Sequence, residues 1–526
     1  MKSKIVINVV AALVTLTGLS MSICLIPAWF MDVPEGNSEA FWNFLWCTIS
    51  TVGIGIIVFL KSRVKADVGF REGFAVVTFG WLAVSAFGAL PYLWICKDPA
   101  ALNETLNQIN NLDPALIGEA KTVKIAELMR ATKSMSIADA FFETMSGFTT
   151  TGASILIDIE AQPKSILFWR SFTNWLGGMG IVVLSLAILP VLGIGGMQLY
   201  KAEVPGPTSD QLTSRIASTA KILWLVYFLL SIACFIILKV MGMNFFDSIC
   251  HTFSTLATGG FSTKGASVGA YAGQFHVVIT IFMFLAGCNF VLHIKALQGK
   301  PLFYFKDEEF RFYFLCTALS TIIIAIVLCV NGNSKGESYT IARALNSASF
   351  QVVSILTTTG FGSDDFTNWP TLAVGIMVLL FFIGGCGGST SGGIKVSRIM
   401  LMIKYSIVQV KQCLFPHALT NVQLNKQRVQ PAILDKVLSF FFLYIAIYIA
   451  ISLLMCLCKD IDIETAFTSS IACLGNIGPG LSKVGPSENF AWMADSAKWL
   501  LSISMLIGRL EVYTVIVLFL PQFWKK

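Results

Sequence analysis

Four short segments rich in threonine and glycine recur along the chain: Thr149-Thr150-Thr151-Gly152, Ala257-Thr258-Gly259-Gly260, Thr357-Thr358-Thr359-Gly360 and Gly475-Asn476-Ile477-Gly478. Their residue types suit the coordination of a dehydrated cation, which needs oxygens in place of its water shell. Four half-spanning loops around one axis can supply them from backbone carbonyls. Pointing successive carbonyls to one side needs φ values that disfavour a Cβ, so glycine fits there. Threonine hydroxyls add a lower ring of oxygens. The candidate cation-binding residues are Thr150, Thr151, Gly152, Thr258, Gly259, Gly260, Thr358, Thr359, Gly360, Asn476, Ile477 and Gly478. Single Thr/Gly segments also occur at ordinary helix-packing faces; four in register, each between apolar runs, argue for a pore.

The elements that must position these loops show the same repetition. Six residues before Gly152, Gly260, Gly360 and Gly478 stand Ser146, Ser254, Ser354 and Ala472; four before them stand Phe148, Leu256, Leu356 and Leu474. This ungapped register matches Gly260 in the second segment; a one-residue gap would make it Gly259. Upstream, Ala138 to Phe148, Phe245 to Leu256, Ala342 to Leu356 and Glu464 to Leu474 have helical length but are too short to span. Asp139, Asp247 and Glu464 near their starts suit the positive end of a helix dipole; the third stretch lacks such an acid. Helix C-termini aimed inward would favour a cation.

The bulk composition sets the environment. The 526 residues are 55% hydrophobic and 13% charged, with a mean hydropathy of +0.73. That balance describes an integral membrane protein. The net charge of +7 does not indicate nucleic acid, because the basic residues cluster between apolar runs. The thirteen cysteines fall mostly inside or beside those runs and read as small apolar side chains without zinc spacing. Lys2 and Lys4 before an apolar run allow a signal peptide, but Ile5 to Phe30 is long enough to be a first transmembrane helix.

Spans are expected near 5–30, 41–60, 73–95, 164–197, 219–241, 273–296, 312–331, 370–410, 434–458 and 496–521. Two of these, 164–197 and 370–410, are overlong and contain glycine breaks. In the second, Gly384, Gly385, Gly387, Gly388, Gly392 and Gly393 surround Ser389, Thr390 and Ser391. An interior glycine costs a helix about 1 kcal/mol, so the run predicts an interruption. Lys395 follows Ile394, without the ending of a phosphate-binding loop. Basic residues at Lys61 to Arg71, Lys295 to Arg311, Lys395 to Lys411 and the C-terminus share one side, expected to be cytoplasmic. Both termini are then inside, and all four Thr/Gly segments outside.

At these residues the chain resembles the bacterial TrkH/TrkG–KtrB potassium transporter family, and within it the TrkH type. The motifs are Phe141-Phe142-Glu143 leading to TTTGAS, FWRSFTNWLGGMGI at Phe168 to Ile181, CHTFSTLATGGFST at Cys250 to Thr263, GGCGGSTSGGIKVSR at Gly384 to Arg398 and NIGPG at Asn476 to Gly480. The resemblance implies an all-α integral membrane fold. Four M1–P–M2 repeats with potassium-channel-like re-entrant pore loops stand in a pseudo-fourfold arrangement, after two extra N-terminal transmembrane helices. The expected division is 1–72 for those helices, then repeats over 73–200, 201–300, 301–430 and 431–526. The segment from Cys96 to Ser136 is a longer external insertion than the family leads one to expect.

By the same resemblance, the function is potassium uptake across a bacterial inner membrane through a channel-like subunit. A glycine in each filter segment goes with potassium selectivity, and Asn476 and Ile477 replace threonines in the fourth, an asymmetry also found in the family. Residues Gly384 to Gly393 take the place of an intramembrane gate loop, and Arg509 that of a positive barrier below the filter. Snorkelling of Arg509 or an ion pair with Glu511 are the structural alternatives. The family further implies potassium as the transported ion with no organic cofactor, a cytosolic RCK-type nucleotide-binding subunit and a homodimer in the lipid bilayer, with no nucleic-acid partner. Arg170 is expected to anchor structure, and Glu143 and His251 to make pore-helix contacts. Asp364 and Asp365 either concentrate cations or form a solvated turn.

Two other classes compete. A proton- or sodium-coupled cation symporter with discontinuous helices would place matching breaks on opposite sides of the membrane, unlike these segments. An enzyme is disfavoured by the absence of HExxH, GxSxG or a helix-spaced acid pair within the spans.

Overall fold

Apolar runs longer than the ~30 Å hydrocarbon core become continuous helices, since no other open structure satisfies the backbone there. In the computed structural model, which describes residues 3–64, 69–96, 134–180, 216–416 and 421–525, six helices are long and apolar enough to cross. They are Ser3–Asp32, Ser38–Lys61, Arg71–Ile95, Ala220–Val240, Glu308–Asn331 and Pro431–Met455. In four of them only 28% of the apolar window is buried, so the remaining apolar surface faces outward, where lipid covers it without cost. Most of the expected Cys96 to Ser136 insertion, the second half of the 164–197 span and residues 201–215 lie outside the described residues.

The four short helices lie inside this shell, at Ile137–Phe148, Phe245–Ala257, Ile341–Leu356 and Ile463–Leu474. Each matches its expected stretch to within one residue. At 1.5 Å per residue the longest reaches only about 24 Å, short of a bilayer core. Each starts with a side chain that accepts a first-turn amide: Ser136 from Asp139, Asn244 from Asp247, Thr340 from Arg343 and Asp462 from Thr465. Such a cap contributes about 1 kcal/mol. The helix Lys164–Gly178, which follows the first Thr/Gly segment, lacks a cap of its own. Buried Asp32 from the N-terminal helix serves instead, accepting the amides of Lys164 at 2.7 Å and Ser165 at 3.0 Å.

Two expected spans are not straight. The 273–296 stretch is Gly273–Ala286 and Phe290–Leu297, bent by 100°, and the 496–521 stretch is Asp495–Arg509 and Tyr513–Phe519, bent by 112°. The causes are local. Asn289 leaves the helix and caps a new one, accepting the amide of Val291 at 2.9 Å. Glu511 and Val512 take positive φ values of 54° and 61°, which no helix accommodates. The 370–410 stretch breaks as expected, into Thr371–Leu380 and Val396–Leu414. Thus the helices that follow the four Thr/Gly segments end at Gly178, Ala286, Leu380 and Arg509. A two-residue-strand hairpin, Gln423–Leu424 with Gln427–Arg428, adds the described β-structure to an otherwise helical chain.

Candidate functional site

Each short helix ends in the same turn. The amides of Thr151, Gly259, Thr359 and Ile477 donate to the carbonyls of Ser146, Ser254, Ser354 and Ala472 at 2.9, 2.9, 2.8 and 2.8 Å. The residue before each donor is left-handed: Thr150, Thr258, Thr358 and Asn476 have φ of 55°, 52°, 57° and 55°. Helices commonly close this way, but with glycine at the left-handed position. A β-branched residue there is strained by about 1–3 kcal/mol and persists only where surrounding packing enforces it. Two residues later Gly152, Gly260, Gly360 and Gly478 have φ of 81°, 72°, 77° and 100°. In the second segment the positive φ falls on Gly260, in the ungapped register.

The four glycines close a cycle. A Cβ on Gly152 would come within 2.6 Å of the carbonyl oxygen of Gly259; one on Gly260 would meet that of Thr359, one on Gly360 that of Ile477, and one on Gly478 that of Thr151. Each segment therefore abuts the next, and the fourth returns to the first. All four glycines line one cavity of about 100 Å³ on the side away from the short helices' C-termini, bordered by Ser154, Ser262, Pro479 and Phe490.

Side chains on the short helices hold the strands that leave this ring. Nine residues before the glycine stand Glu143, His251 and Gln351 in the first three segments. Glu143 accepts from Ser154 Oγ at 3.0 Å and the Ile155 amide at 2.9 Å. His251 Nε2 lies 3.0 Å from Ser262 Oγ, and Gln351 donates to the Asp364 carbonyl at 2.7 Å. In the fourth segment Thr468 Oγ1 accepts the amide of Leu481 at 3.1 Å. Buried Arg170 completes the first brace. It pairs with Glu143 at 2.7 Å, donates to the Ser262 carbonyl at 3.0 Å and lies 4.1 Å from the Phe261 ring centre. It ties the first strand to the second.

The threonines at the ring's base are linked as well. Thr149 and Thr151 hydroxyls are 2.8 Å apart, as are those of Thr357 and Thr359. Asn476 donates to Thr151 Oγ1 at 3.0 Å and to the Met505 carbonyl at 2.9 Å. This replacement for threonine thus joins the fourth segment to the first by a side-chain bond.

The glycine-rich segment between Leu380 and Val396 passes beneath the second and third threonines. Its ends are paired, the Gly384 amide donating to the Ile394 carbonyl at 2.8 Å. The Gly392 amide donates to Thr358 Oγ1 at 2.6 Å, and Thr390 Oγ1 lies 3.3 Å from Thr258 Oγ1. Only glycine fits at Gly384, where a Cβ would run into the Gly392 carbonyl. Arg509 reaches in from the end of helix Asp495–Arg509: its guanidinium donates to the carbonyls of Thr390 at 2.9 Å, Gly177 at 2.6 Å and Gly178 at 3.2 Å. Lys395 donates to the Ser391 carbonyl, and Glu511 pairs with Arg398. A cavity of about 150 Å³ lies here, lined by Gly178, Ser389, Ser391, Gly392, Lys395 and Arg509 among others.

Beyond the third glycine, Asp365 caps Thr367 and Asp364 accepts from Tyr339 Oη at 2.7 Å, so both shape a turn. Glu160 and Lys264 pair at 2.9 Å; hydrogen bonding to Lys264 holds the Glu160 carboxyl below its ordinary value. All thirteen cysteines are free thiols. Glu309, absent from the sequence-derived candidates, reaches the glycine-rich segment from helix Glu308–Asn331 and accepts the Gly387 amide at 2.6 Å. Its place at a helix start gave no signal of that distant contact.

The model of the family described as "TrkH: Cation transport protein" matches residues 72–526. The chain is 40% identical over 496 residues to the Trk system potassium uptake protein TrkH of Salmonella typhimurium, covering 94% of this chain and 93% of that one. It is 35% identical to the Trk system potassium uptake protein TrkG of Escherichia coli K12, over 86% of both. The crystal structure of the potassium transporter TrkH from Vibrio parahaemolyticus superposes with a TM-score of 0.81 at 34% identity, covering all of both chains. The protein is a membrane transport protein rather than an enzyme, and it belongs to the TrkH cation transport family.

Proposed function

We propose that this chain takes up potassium through a pore whose selectivity filter is the ring of Gly152, Gly260, Gly360 and Gly478. The closed cycle of glycine-to-carbonyl approaches carries this reading. Four left-handed turns of one register, meeting around one axis, are what a carbonyl filter requires. The turns follow the C-terminal ends of four short helices, whose partial negative charge favours a cation. The relatives' names supply the ion.

The same reading makes four M1–P–M2 repeats of the helices around each loop, and a gate of residues 384–393. That segment lies directly under the threonines, held by hydrogen bonds to the Gly287 carbonyl, Thr358 and Glu309 and by Arg509, a positive charge on the path of a cation. The basic clusters support a reading with both termini in the cytoplasm of a bacterial inner-membrane protein. A homodimer working with a cytosolic nucleotide-binding subunit fits a transporter named as part of a system.

Reconstitution of the purified chain in liposomes under a potassium gradient tests this. Potassium and rubidium flux above that of sodium and lithium is expected. Equal sodium flux would remove potassium selectivity from the reading, and flux appearing only with a proton or sodium gradient would replace the pore with coupled symport.

A further inference from the structure

The Glu309 carboxylate meets both flanks of the glycine-rich segment. Its Oε1 accepts the Gly387 amide at 2.6 Å and the Ser397 amide at 3.2 Å. Gly387 lies before the turn that carries Thr390 under the threonines, and Ser397 lies after it, in the first turn of Val396–Leu414. One oxygen therefore clamps the segment's entry to its exit. Arg509 holds the same segment from the opposite end, at Thr390.

The residues just before Glu309 are fastened to the hairpin. The Glu308 amide donates to Asn425 Oδ1 at 2.9 Å, Asn425 Nδ2 donates to Asp307 Oδ2 at 3.0 Å, and Lys404 pairs with Glu308. Asn425 and Lys426, with φ of 49° and 64°, are the hairpin's two turn residues, the conformation a two-residue loop needs. Between hairpin and clamp lies a cavity of about 480 Å³, lined by Lys295, Lys306, Glu309, Ser397 and Arg428 among others. The hairpin is thus tied to the root of the Glu309 helix with open space around it.

We propose that Glu309 is the positioning residue that keeps the 384–393 segment in its blocking position, and that the hairpin at Asn425 is the handle through which movement on that side reaches the clamp. This rests on the gate reading above. A displacement of the hairpin pulls on Asp307 and the Glu308 amide, next to the carboxylate that holds Gly387 and Ser397. Release of that clamp removes the tie between entry and exit and leaves the segment's base to the backbone bonds of Cys386 to Gly287 and of Phe290 to Gly388, at 2.9 and 3.1 Å, while the glycine ring stays intact.

The test uses a native reporter. Cys386, adjacent to Gly387, is 1% exposed, and Cys473, in the fourth short helix, is fully buried. Alkylation of the full-length protein with N-ethylmaleimide, followed by peptide mapping, gives the rate at each. Glu309→Ala is expected to speed modification of Cys386 at least tenfold with Cys473 unchanged; Glu309→Gln, which keeps shape and loses charge, gives a smaller rise. Asn425→Ala gives a rise of the same kind. In liposomes these variants are expected to raise rubidium flux with an unaltered potassium-to-sodium ratio. Cys386 labelling at the wild-type rate in Glu309→Ala overturns the clamp, as does equal acceleration at Cys473, which marks general loosening. Should that variant not fold, wild-type labelling in Glu309→Gln overturns it instead. Unchanged labelling in Asn425→Ala overturns the handle. Absence of selective flux in the wild type would instead strike the pore reading, which the labelling rates do not test.

Discussion

Arg509 donates from Nη1 to the carbonyl oxygen of Thr390 at 2.9 Å, joining the last apolar helix to the tip of the glycine-rich segment. The same guanidinium holds the Gly177 and Gly178 carbonyls. Hydrogen bonds to a charged group contribute about 1.5–3 kcal/mol each, and about 1.4 kcal/mol changes an equilibrium tenfold.

Arg509→Ala is therefore expected to raise rubidium flux by about tenfold or more, with Arg509→Lys between it and wild type. Flux assays on monodisperse protein in liposomes check this. Unchanged flux in a folded Arg509→Ala protein would show that the Arg509 bonds to Thr390, Gly177 and Gly178 carry no barrier.

Gly259 and Gly260 separate the two possible registers of the second segment. A Cβ on Gly259 meets the buried Asn174 side chain at 2.5 Å, away from the ring; one on Gly260 comes closer still to the Thr359 backbone carbonyl, and its φ is 72°. Gly260→Ala is expected to lose potassium selectivity, whereas Gly259→Ala, which displaces Asn174 and not a ring carbonyl, lowers stability but keeps the selectivity of the folded protein. The comparison is read from potassium-to-sodium flux ratios, and the reverse ranking would put Gly259 in the filter.

Glu143 and Arg170 form a pair with side chains 0% and 1% exposed. Removing one partner of a buried pair leaves the other uncompensated and costs about 3–5 kcal/mol. Arg170→Leu is expected to lower the unfolding temperature sharply, and Arg170→Leu with Glu143→Leu less than the sum of the two single changes. Thermal unfolding by tryptophan fluorescence measures this; additive losses would mean that the two residues act independently.

Much of this was legible from short-range patterns. Three of the four short helices announce themselves by Asp139, Asp247 and Glu464 near their starts, and all four by the segment that recurs at their ends, signals contained within a few residues; the caps Ser136, Asn244, Thr340 and Asp462 emerge only in the structure. The break at Gly384 to Gly393 was legible because glycine weakens a helix wherever it stands. The bends after Ala286 and Arg509 were not, since a hydropathy window averages over a turn that a few residues make. Asn289 is a cap signal that could have marked the first. Nothing local marks the second: Val512 is a β-branched residue forced to positive φ by its surroundings. The partners of Arg509 and Glu309 come from segments distant in the chain, and hydrophobic periodicity carries no information about them.

Thr358 links the glycine ring to the segment below it, its hydroxyl accepting the Gly392 amide. Thr358→Val keeps the shape and strands that buried amide, at a cost of about 1–3 kcal/mol. Flux is expected to rise several-fold with some loss of selectivity, because the same residue shapes both elements. Separate assays of rate and ion ratio check this, and a variant identical to wild type in both would uncouple ring and segment.

In the proposed pore, glycine at the four ring positions gives selectivity for potassium. The most direct measurement is the potassium-to-sodium flux ratio of the reconstituted wild type against Gly360→Ser. A Cβ at Gly360 has the closest approach of the four, onto the Ile477 carbonyl, at a φ of 77°. A ratio well above one that falls toward one in Gly360→Ser is predicted. An unchanged ratio in a folded, conducting Gly360→Ser protein would place selectivity elsewhere and contradict the ring of glycines as the filter.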